Sequence, residues 1–376
     1  MNVTEPSTSR PRRVVRGLAA VFVAALIAFV ACEIAARIIF PAPPDRTRQP
    51  PVAYLYDPEI RYVLAPNQQG WIDDGLVTVN AAGFRSRTQT DLPKPPGRFR
   101  IVVLGDSVTI GMGVADDQSF PAQVETLLRQ RVRGKDLDVV NLGVPGYDTR
   151  QEVGLLRRRV AELKPDLVLV GFYSNDVPDI LEGEATPAGT PIPASQQRAG
   201  QVLHMDSTSP SFADRYLRKS RIIFIAGRTF NRARGAGESG MARLSIEMDM
   251  VQGKHSPQID RAWSKIETEL QTLRTLARSS GFECAIVALP PRELITGQYG
   301  GSAYLSQLHA VADPLGFPVI DPIPAMLATQ AGRDGLYIPY DRNHPNAIGH
   351  RAIAEAIASS IAFTAEGFAL KAQSSR

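Results

Sequence analysis

Five short runs constrain the fold of this chain most: Arg100–Gly105 (RIVVLG), Asp138–Gly143 (DVVNLG), Asp166–Tyr173 (DLVLVGFY), Cys284–Pro290 (CAIVALP) and Pro318–Asp321 (PVID). Each is continuously apolar and β-branched, without alternating polar positions, as in parallel strands covered on both faces. Helix signals separate them. Ser119 stands before Phe120-Pro121 and the apolar positions Val124, Leu127 and Leu128, as at an N-cap with an early proline. Thr149-Arg-Gln-Glu152 reads as a capping box. Ile259, Trp263, Ile266, Leu270, Leu273 and Ala277 alternate spacings of four and three, the stripe of an amphipathic helix. Strand–helix alternation predicts an α/β domain with a parallel sheet and helices on both faces.

Ahead of this domain, residues 17–32 contain no charge, and the apolar run resumes after Glu33 to end at Pro41. As one helix, residues 17–40 would extend roughly 36 Å, enough to cross a bilayer. Glu33 and Arg37 form an i,i+4 pair in the favourable order. Arg10, Arg12, Arg13 and Arg16 precede the run and favour an inside N-terminus, against Arg37, Arg46 and Arg48 after it. An uncleaved transmembrane signal-anchor is the expectation. A cleaved signal and a lipidated Cys32 in Phe29-Val-Ala-Cys32 remain as rivals, and all three place the body outside the cytoplasm. Residues 1–16 would then be a cytoplasmic N-terminus. Residues 41–97 read as a Pro-rich spacer followed by an irregular or β extension. Residues 98–365 read as the catalytic domain and 366–376 as a C-terminal tail. Within the domain, residues 177–258 break the rhythm as an insertion, with a helix over Phe212–Phe230 followed by polar loop; an insertion this long suits a lid or substrate-contacting element.

Composition narrows the function. The net charge of +4 is concentrated at the N-terminus, where the first forty residues hold five Arg against two Glu, so nucleic acid is not an expected partner. Two cysteines cannot make a disulfide framework or a Cys-rich zinc site, and the five histidines form no ligand motif. No metal or cofactor is expected.

Four polar patches stand at the strand ends or at the entrance of the last helix. They are Gly105-Asp-Ser107, Asn141-Leu-Gly-Val-Pro-Gly146, Gly171-Phe-Tyr-Ser-Asn175-Asp176 and Asp341-Arg-Asn-His344-Pro-Asn. A serine just past a parallel strand lies at the sheet edge where α/β folds bind ligands. The four blocks, in this order, resemble the signature blocks of the SGNH hydrolases, the GDSL esterase/lipase superfamily, over residues 100–362. The resemblance implies a three-layer, flavodoxin-like α/β sandwich with a central parallel sheet, preceded here by the single membrane helix. It implies Ser107 as nucleophile, His344 as general base and Asp341 as the carboxylate orienting it. It also implies an oxyanion hole from the N–H groups of Ser107 and Gly146 and the side-chain amide of Asn175. A hydroxyl needs such a base within hydrogen-bond reach, and a tetrahedral oxyanion needs preplaced donors.

Read as residues alone, Gly146 suits a turn, Asn175 a loop cap, and Asp341 the cap of the helix after Pro345. Asp106 and Asp176 read as structural, His350 as packed or surface, and His204, His255 and His309 as surface. Arg292 is either solvated or in reach of an anionic substrate, and Asn80–Arg85 is expected to pack on the catalytic domain. The expected function is a serine esterase or O-acyltransferase acting through an acyl-serine, with an O-acetyl group on a cell-surface or exported carbohydrate as first substrate class. A lipase or thioesterase acting on longer chains at the membrane surface is the same-fold alternative. A non-catalytic polysaccharide-binding protein is the alternative of another class, and loss of a triad member would mark it.

Overall fold

The computed structural model describes residues 9–39, 50–72, 75–132, 134–182, 198–203, 219–227, 238–299, 303–339, 341, 343–364 and 367–370. The chain divides into two units, Met1–Thr47 with Pro210–Ala233, and Arg48–Ser209 with Arg234–Arg376.

In the smaller unit, helix α1 (Ser9–Ile39) contains the apolar stretch Val14–Ile39, long and apolar enough to cross a membrane; a signal sequence passes the same test. Its apolar side chains, Val21, Phe22 and Leu26 among them, are exposed. Near its end, the Glu33 carboxylate accepts from Ser220 Oγ at 2.8 Å, from the Arg221 N–H at 3.0 Å and from the Ile222 N–H at 3.2 Å. Arg37 pairs with Glu33 at 2.7 Å and donates to the Lys219 carbonyl at 3.1 Å. Of the helix expected over Phe212–Phe230, residues 221–227 are helical and 219–220 are the turn that leads into them, while 212–218 and 228–230 lie outside the described residues.

The larger unit begins with two antiparallel pairs, β1 (Tyr54–Asp57) with β2 (Arg61–Leu64), and β3 (Gln68–Ile72) with β4 (Gly75–Val79). Residues 50–97 are therefore β-rich. Their side chains Tyr54, Ile60, Tyr62, Leu64, Val77 and Phe84 are buried in the same apolar cluster as one face of the main sheet.

That sheet has five parallel strands: β5 (Phe99–Gly105), β6 (Leu137–Asn141), β7 (Leu167–Tyr173), β9 (Glu283–Leu289) and β10 (Val319–Ile320). Their order is β10-β9-β7-β5-β6, which is flavodoxin-like, with the switch of direction between β5 and β7. β8 (Val202–Leu203), in the insertion, adds to β1 instead. Alternate residues of the central strands feed two separate cores. Val102, Leu104, Val168, Val170 and Ile286 lie on one face, and Ile101, Val103, Leu167, Leu169 and Val287 on the other. Burial on both sides explains the unbroken apolar runs.

The first face is covered by α4 (Thr149–Leu163) and α7 (Pro257–Ser280), with α5 (Asp176–Glu182) packed on both; the second carries α3 (Phe120–Arg131) and α11 (Ala347–Ser360). The stripe Ile259–Ala277 is buried as its spacing requires, and Ser256 caps α7. At α4 the cap sits one residue earlier than the sequence suggests. Asp148 accepts the Gln151 N–H at 3.1 Å, and Gln151 Oε1 accepts the Asp148 N–H at 3.2 Å. Thr149 instead donates its hydroxyl to Asp176 at 3.1 Å. Ser119 stands at the N-cap of α3 without capping it by its side chain; the Phe120 N–H donates to His350 Nδ1 at 3.2 Å.

Two segments differ from expectation. The stretch read as polar loop after residue 230 holds α6 (Glu238–Val251), whose acidic residues obscure its apolar ones; Met250 and Val251 are buried, and so is Glu247. Part of the expected C-terminal tail is a strand: β11 (Ile361–Thr364) pairs with β12 (Gly367–Leu370), and Phe363 and Phe368 pack edge-on against Phe99.

Candidate active site

Ser107 opens the single-turn helix α2 (Ser107–Ile110) directly after β5. Asp106 caps this turn, its Oδ1 accepting the Val108 N–H at 2.8 Å. A Cβ on either neighbouring strand glycine, Gly105 or Gly171, would collide with Thr109, so this close seat of α2 on the sheet requires glycine at both positions. The turn is held from the far side by Arg85. Its guanidinium donates to the carbonyls of Ile110, Gly111 (2.6 Å) and Val114 (2.7 Å), and pairs with Asp116 at 3.0 Å.

The loop after β6 is stitched to β5, with the Leu142 N–H donating to Val103 O at 2.8 Å and the Val144 N–H to Gly105 O at 3.0 Å. Gly146 follows at φ +75°, in the region that favours glycine. Among the described residues, no carbonyl or side chain accepts the N–H of Ser107 or of Gly146. Asn175 follows β7, and its Nδ2 donates to Asp106 Oδ2 at 3.1 Å. An amide nitrogen carries two hydrogens, so a second donor direction remains. The neighbouring Ser174 hydroxyl donates to Glu247 of α6 at 2.6 Å.

The last block forms a closed turn before α11. The Asp341 N–H donates to Ile338 O at 2.9 Å, and the Ile338 N–H to His344 O at 3.0 Å. Asp341 Oδ1 accepts the N–H groups of Asn343 at 2.8 Å and His344 at 3.1 Å. Its Oδ2 lies 2.9 Å from His344 Nδ1. His344 Nε2 in turn lies 2.9 Å from Ser107 Oγ. Asp341 does not cap α11; Asn346 does, accepting from Ile348 and Gly349.

Burial raises the Asp341 carboxyl, but the facing His344 charge and its hydrogen bonds outweigh that and hold it well below the usual carboxylate range. With a carboxylate facing Nδ1, the imidazole proton is favoured there, which leaves Nε2 to accept from the serine hydroxyl.

Of the residues left aside in the sequence, Asp106 and Asp176 are both fully buried. Burial raises both carboxyls, Asp176 strongly, where nearby Glu152 and Asp106 add to the effect. His350 is buried against Phe120, while His255 and His309 are exposed and His204 lies outside the described residues. Arg292 donates to the Asp341 carbonyl at 3.2 Å. Asp106, read from the sequence as structural, caps the turn that Ser107 opens; the burial of Arg85 and Glu247 had no sequence signature, since nothing in a charged side chain tells that it will be buried.

A family model, the GDSL-like Lipase/Acylhydrolase family, matches residues 103–352, about two thirds of the chain. No curated protein matches. Among solved structures, a lipase/acylhydrolase from Enterococcus faecalis is 15% identical over 69% of this chain and 94% of its own, with TM-score 0.35. The esterase EstA from Pseudoalteromonas sp. is 12% identical over 69% and 95%, with TM-score 0.36. An acetyl xylan esterase, AlAXEase, is 12% identical over 69% and 98%, with TM-score 0.38. At these scores the structural likenesses add nothing to the sequence match. The family match spans all four strand-end blocks and most of the parallel sheet that carries them, and by it this chain belongs to the GDSL-like lipase/acylhydrolase family, whose members hydrolyse esters.

Proposed function

We propose that this chain is a serine esterase in which Ser107 attacks the ester carbonyl carbon, His344 Nε2 takes its proton, and Asp341 holds and stabilises the resulting imidazolium. The observation that carries this reading is the unbroken line of short distances, 2.9 Å from Ser107 Oγ to His344 Nε2 and 2.9 Å from Nδ1 to Asp341. The tetrahedral oxyanion is stabilised by the N–H groups of Ser107 and Gly146 and the second amide hydrogen of Asn175, each worth about 10²–10³ in rate. Collapse breaks the ester C–O bond, and the leaving alcohol takes the proton from His344. Water then hydrolyses the acyl-serine with His344 again as base; a sugar hydroxyl in the place of water would give O-acyl transfer.

The acyl group is proposed to be acetyl, on a cell-surface or exported carbohydrate. This substrate class follows from the resemblance to membrane-anchored members of the family and is analogy rather than site chemistry. The apolar segment 17–40 is proposed as an uncleaved anchor with the catalytic unit outside the cytoplasm.

Hydrolysis of p-nitrophenyl acetate and labelling by a fluorophosphonate should both vanish in Ser107→Ala, with the unfolding temperature within a few degrees of wild type. Activity retained in pure Ser107→Ala would end the serine reading. Preference for acetyl over dodecanoyl esters, and release of acetate from acetylated polysaccharide, would support the substrate class; the reverse preference would replace it with a lipase. A reporter fused after Arg376 should be active only outside the cytoplasm, in a chain that keeps its N-terminus and resists extraction by salt.

A further inference from the structure

The family match begins at residue 103, so the β-rich extension before it lies outside the match. Strand β2 of that extension nevertheless reaches the loop that carries Gly146. The Tyr62 hydroxyl donates to the Pro145 carbonyl at 3.0 Å, and the Tyr147 hydroxyl donates back to the Tyr62 carbonyl. Both tyrosines are fully buried, with ring centroids 5.4 Å apart. One residue of the extension thus grips the loop on both sides of Gly146.

The Pro145 carbonyl and the Gly146 N–H are two ends of a single peptide group. That group is trans and planar, so its oxygen and its hydrogen point in opposite directions. Whatever fixes the oxygen therefore fixes the hydrogen. Glycine at φ +75° is also where the backbone turns over at least steric cost.

We propose that Tyr62 is a positioning residue for the oxyanion donor: by holding the Pro145 oxygen on the buried side, its hydroxyl keeps the Gly146 N–H turned towards the reacting ester. This rests on the reading of Gly146 as a donor. Without the hydroxyl, the Pro145 oxygen loses its partner and the peptide group turns over in a fraction of the molecules. Each inverted molecule lacks one oxyanion donor and presents a carbonyl dipole of the wrong sign. Substrate ground-state contacts do not change, so the loss falls on kcat rather than on KM.

The test uses the full chain, with active sites counted by fluorophosphonate titration so that misfolded protein does not enter the rate. Tyr62→Phe should lower kcat for p-nitrophenyl acetate about 10-fold or more, short of the ~10²–10³ expected for complete loss of a donor. KM should stay within about twofold. Affinity for phenylboronic acid, which forms a tetrahedral adduct on serine, should fall by the same factor as kcat/KM. Tyr147→Phe deletes the other hydroxyl of the pair without touching the Pro145 oxygen, and should lower stability while leaving kcat within about threefold. Wild-type kcat and boronate affinity in Tyr62→Phe would overturn the proposal, as would equal kcat losses in the two variants. Ser107→Ala run beside them separates the two failures. An active Ser107→Ala sinks the serine reading, whereas an inactive Ser107→Ala with an unimpaired Tyr62→Phe sinks only the role of Tyr62.

Discussion

The side-chain amide of Asn175 donates to the carboxylate of Asp106 at 3.1 Å, joining the ends of two adjacent strands across 69 residues of sequence. The same carboxylate caps the turn that begins with Ser107. Proposed nucleophile and proposed oxyanion donor therefore share one buried anchor. Asn175→Ala should lower kcat at least about 10²-fold with a modest change in KM. It should also cost about 1–3 kcal/mol, because a buried acceptor loses its donor. Asn175→Asp, which sets a second carboxylate against the first, should be less stable still. Urea midpoints measured beside kcat read both effects, and wild-type kcat in Asn175→Ala would remove this amide from the site.

Asp341 is held below the ordinary carboxylate value by the facing imidazole. Its folded-state value is the lower one, so its stabilising contribution is complete above about pH 4 and disappears only in stronger acid. Activity between pH 5 and 9 should carry no step from this residue. Asp341→Asn keeps the shape but removes the charge and the preferred tautomer, and kcat should fall about 10³–10⁴-fold. Near-wild-type kcat in Asp341→Asn at every pH between 5 and 9 would contradict the assignment.

His350 gives the opposite kind of handle, visible in stability rather than in rate. Burial, helped by the charges of Arg85 and His344, pulls its imidazole from 6.5 down to about 3. The unfolded chain therefore binds a proton that the folded chain refuses. This costs stability as pH falls from 6.5 towards 3, by up to about 1.4 kcal/mol per pH unit. The buried carboxyls with raised values, such as Asp179 at about 7, titrate with the opposite sign, so only a difference isolates the histidine. The gap in unfolding free energy between wild type and His350→Gln should change with this slope between pH 6.5 and 4. A gap independent of pH would show that the imidazole is not held neutral.

Arg85 is buried and spends its donors on three carbonyls behind Ser107 and on Asp116. Arg85→Ala leaves Asp116 buried with the exposed Arg87 as its one cationic partner among the described residues, and should cost about 3–5 kcal/mol. Arg85→Lys should recover little, since one ammonium cannot reproduce the planar fork. For the same reason, a chain begun at residue 98 should not fold to an active enzyme. Thermal unfolding and active-site titration check all three.

The main sheet was legible because its strands are buried on both faces and write themselves as uninterrupted apolar runs. Residues 107, 146, 175, 341 and 344 were named through the family resemblance, which four local blocks at strand ends and a helix entrance carry; read alone, three of them suited a turn or a cap. Longer-range partners could not be named that way. Tyr62 and Tyr147 meet across 85 residues, and nothing local to either marks the pairing. The α4 cap fell one residue from its expected place because Asp148 and Thr149 are both competent caps, and the buried Asp176 had first claim on the threonine hydroxyl. Helix α6 was hidden by its own acids, one of which, Glu247, turns inward to Ser174.

Glu33 and Ser220 hydrogen-bond although they stand 187 positions apart in the sequence, and this separation orders events during biosynthesis. The N-terminal helix emerges from the ribosome on the order of ten seconds before residues 219–222 have been made. Throughout that interval, the acid near its end has Arg37 as its nearby partner. Entry of the helix into a bilayer would then depend on Arg37, and its final seating on a segment translated much later. Two substitutions on the same carboxylate's partners, Arg37→Ala and Ser220→Ala, would accordingly strike different moments in the life of the chain.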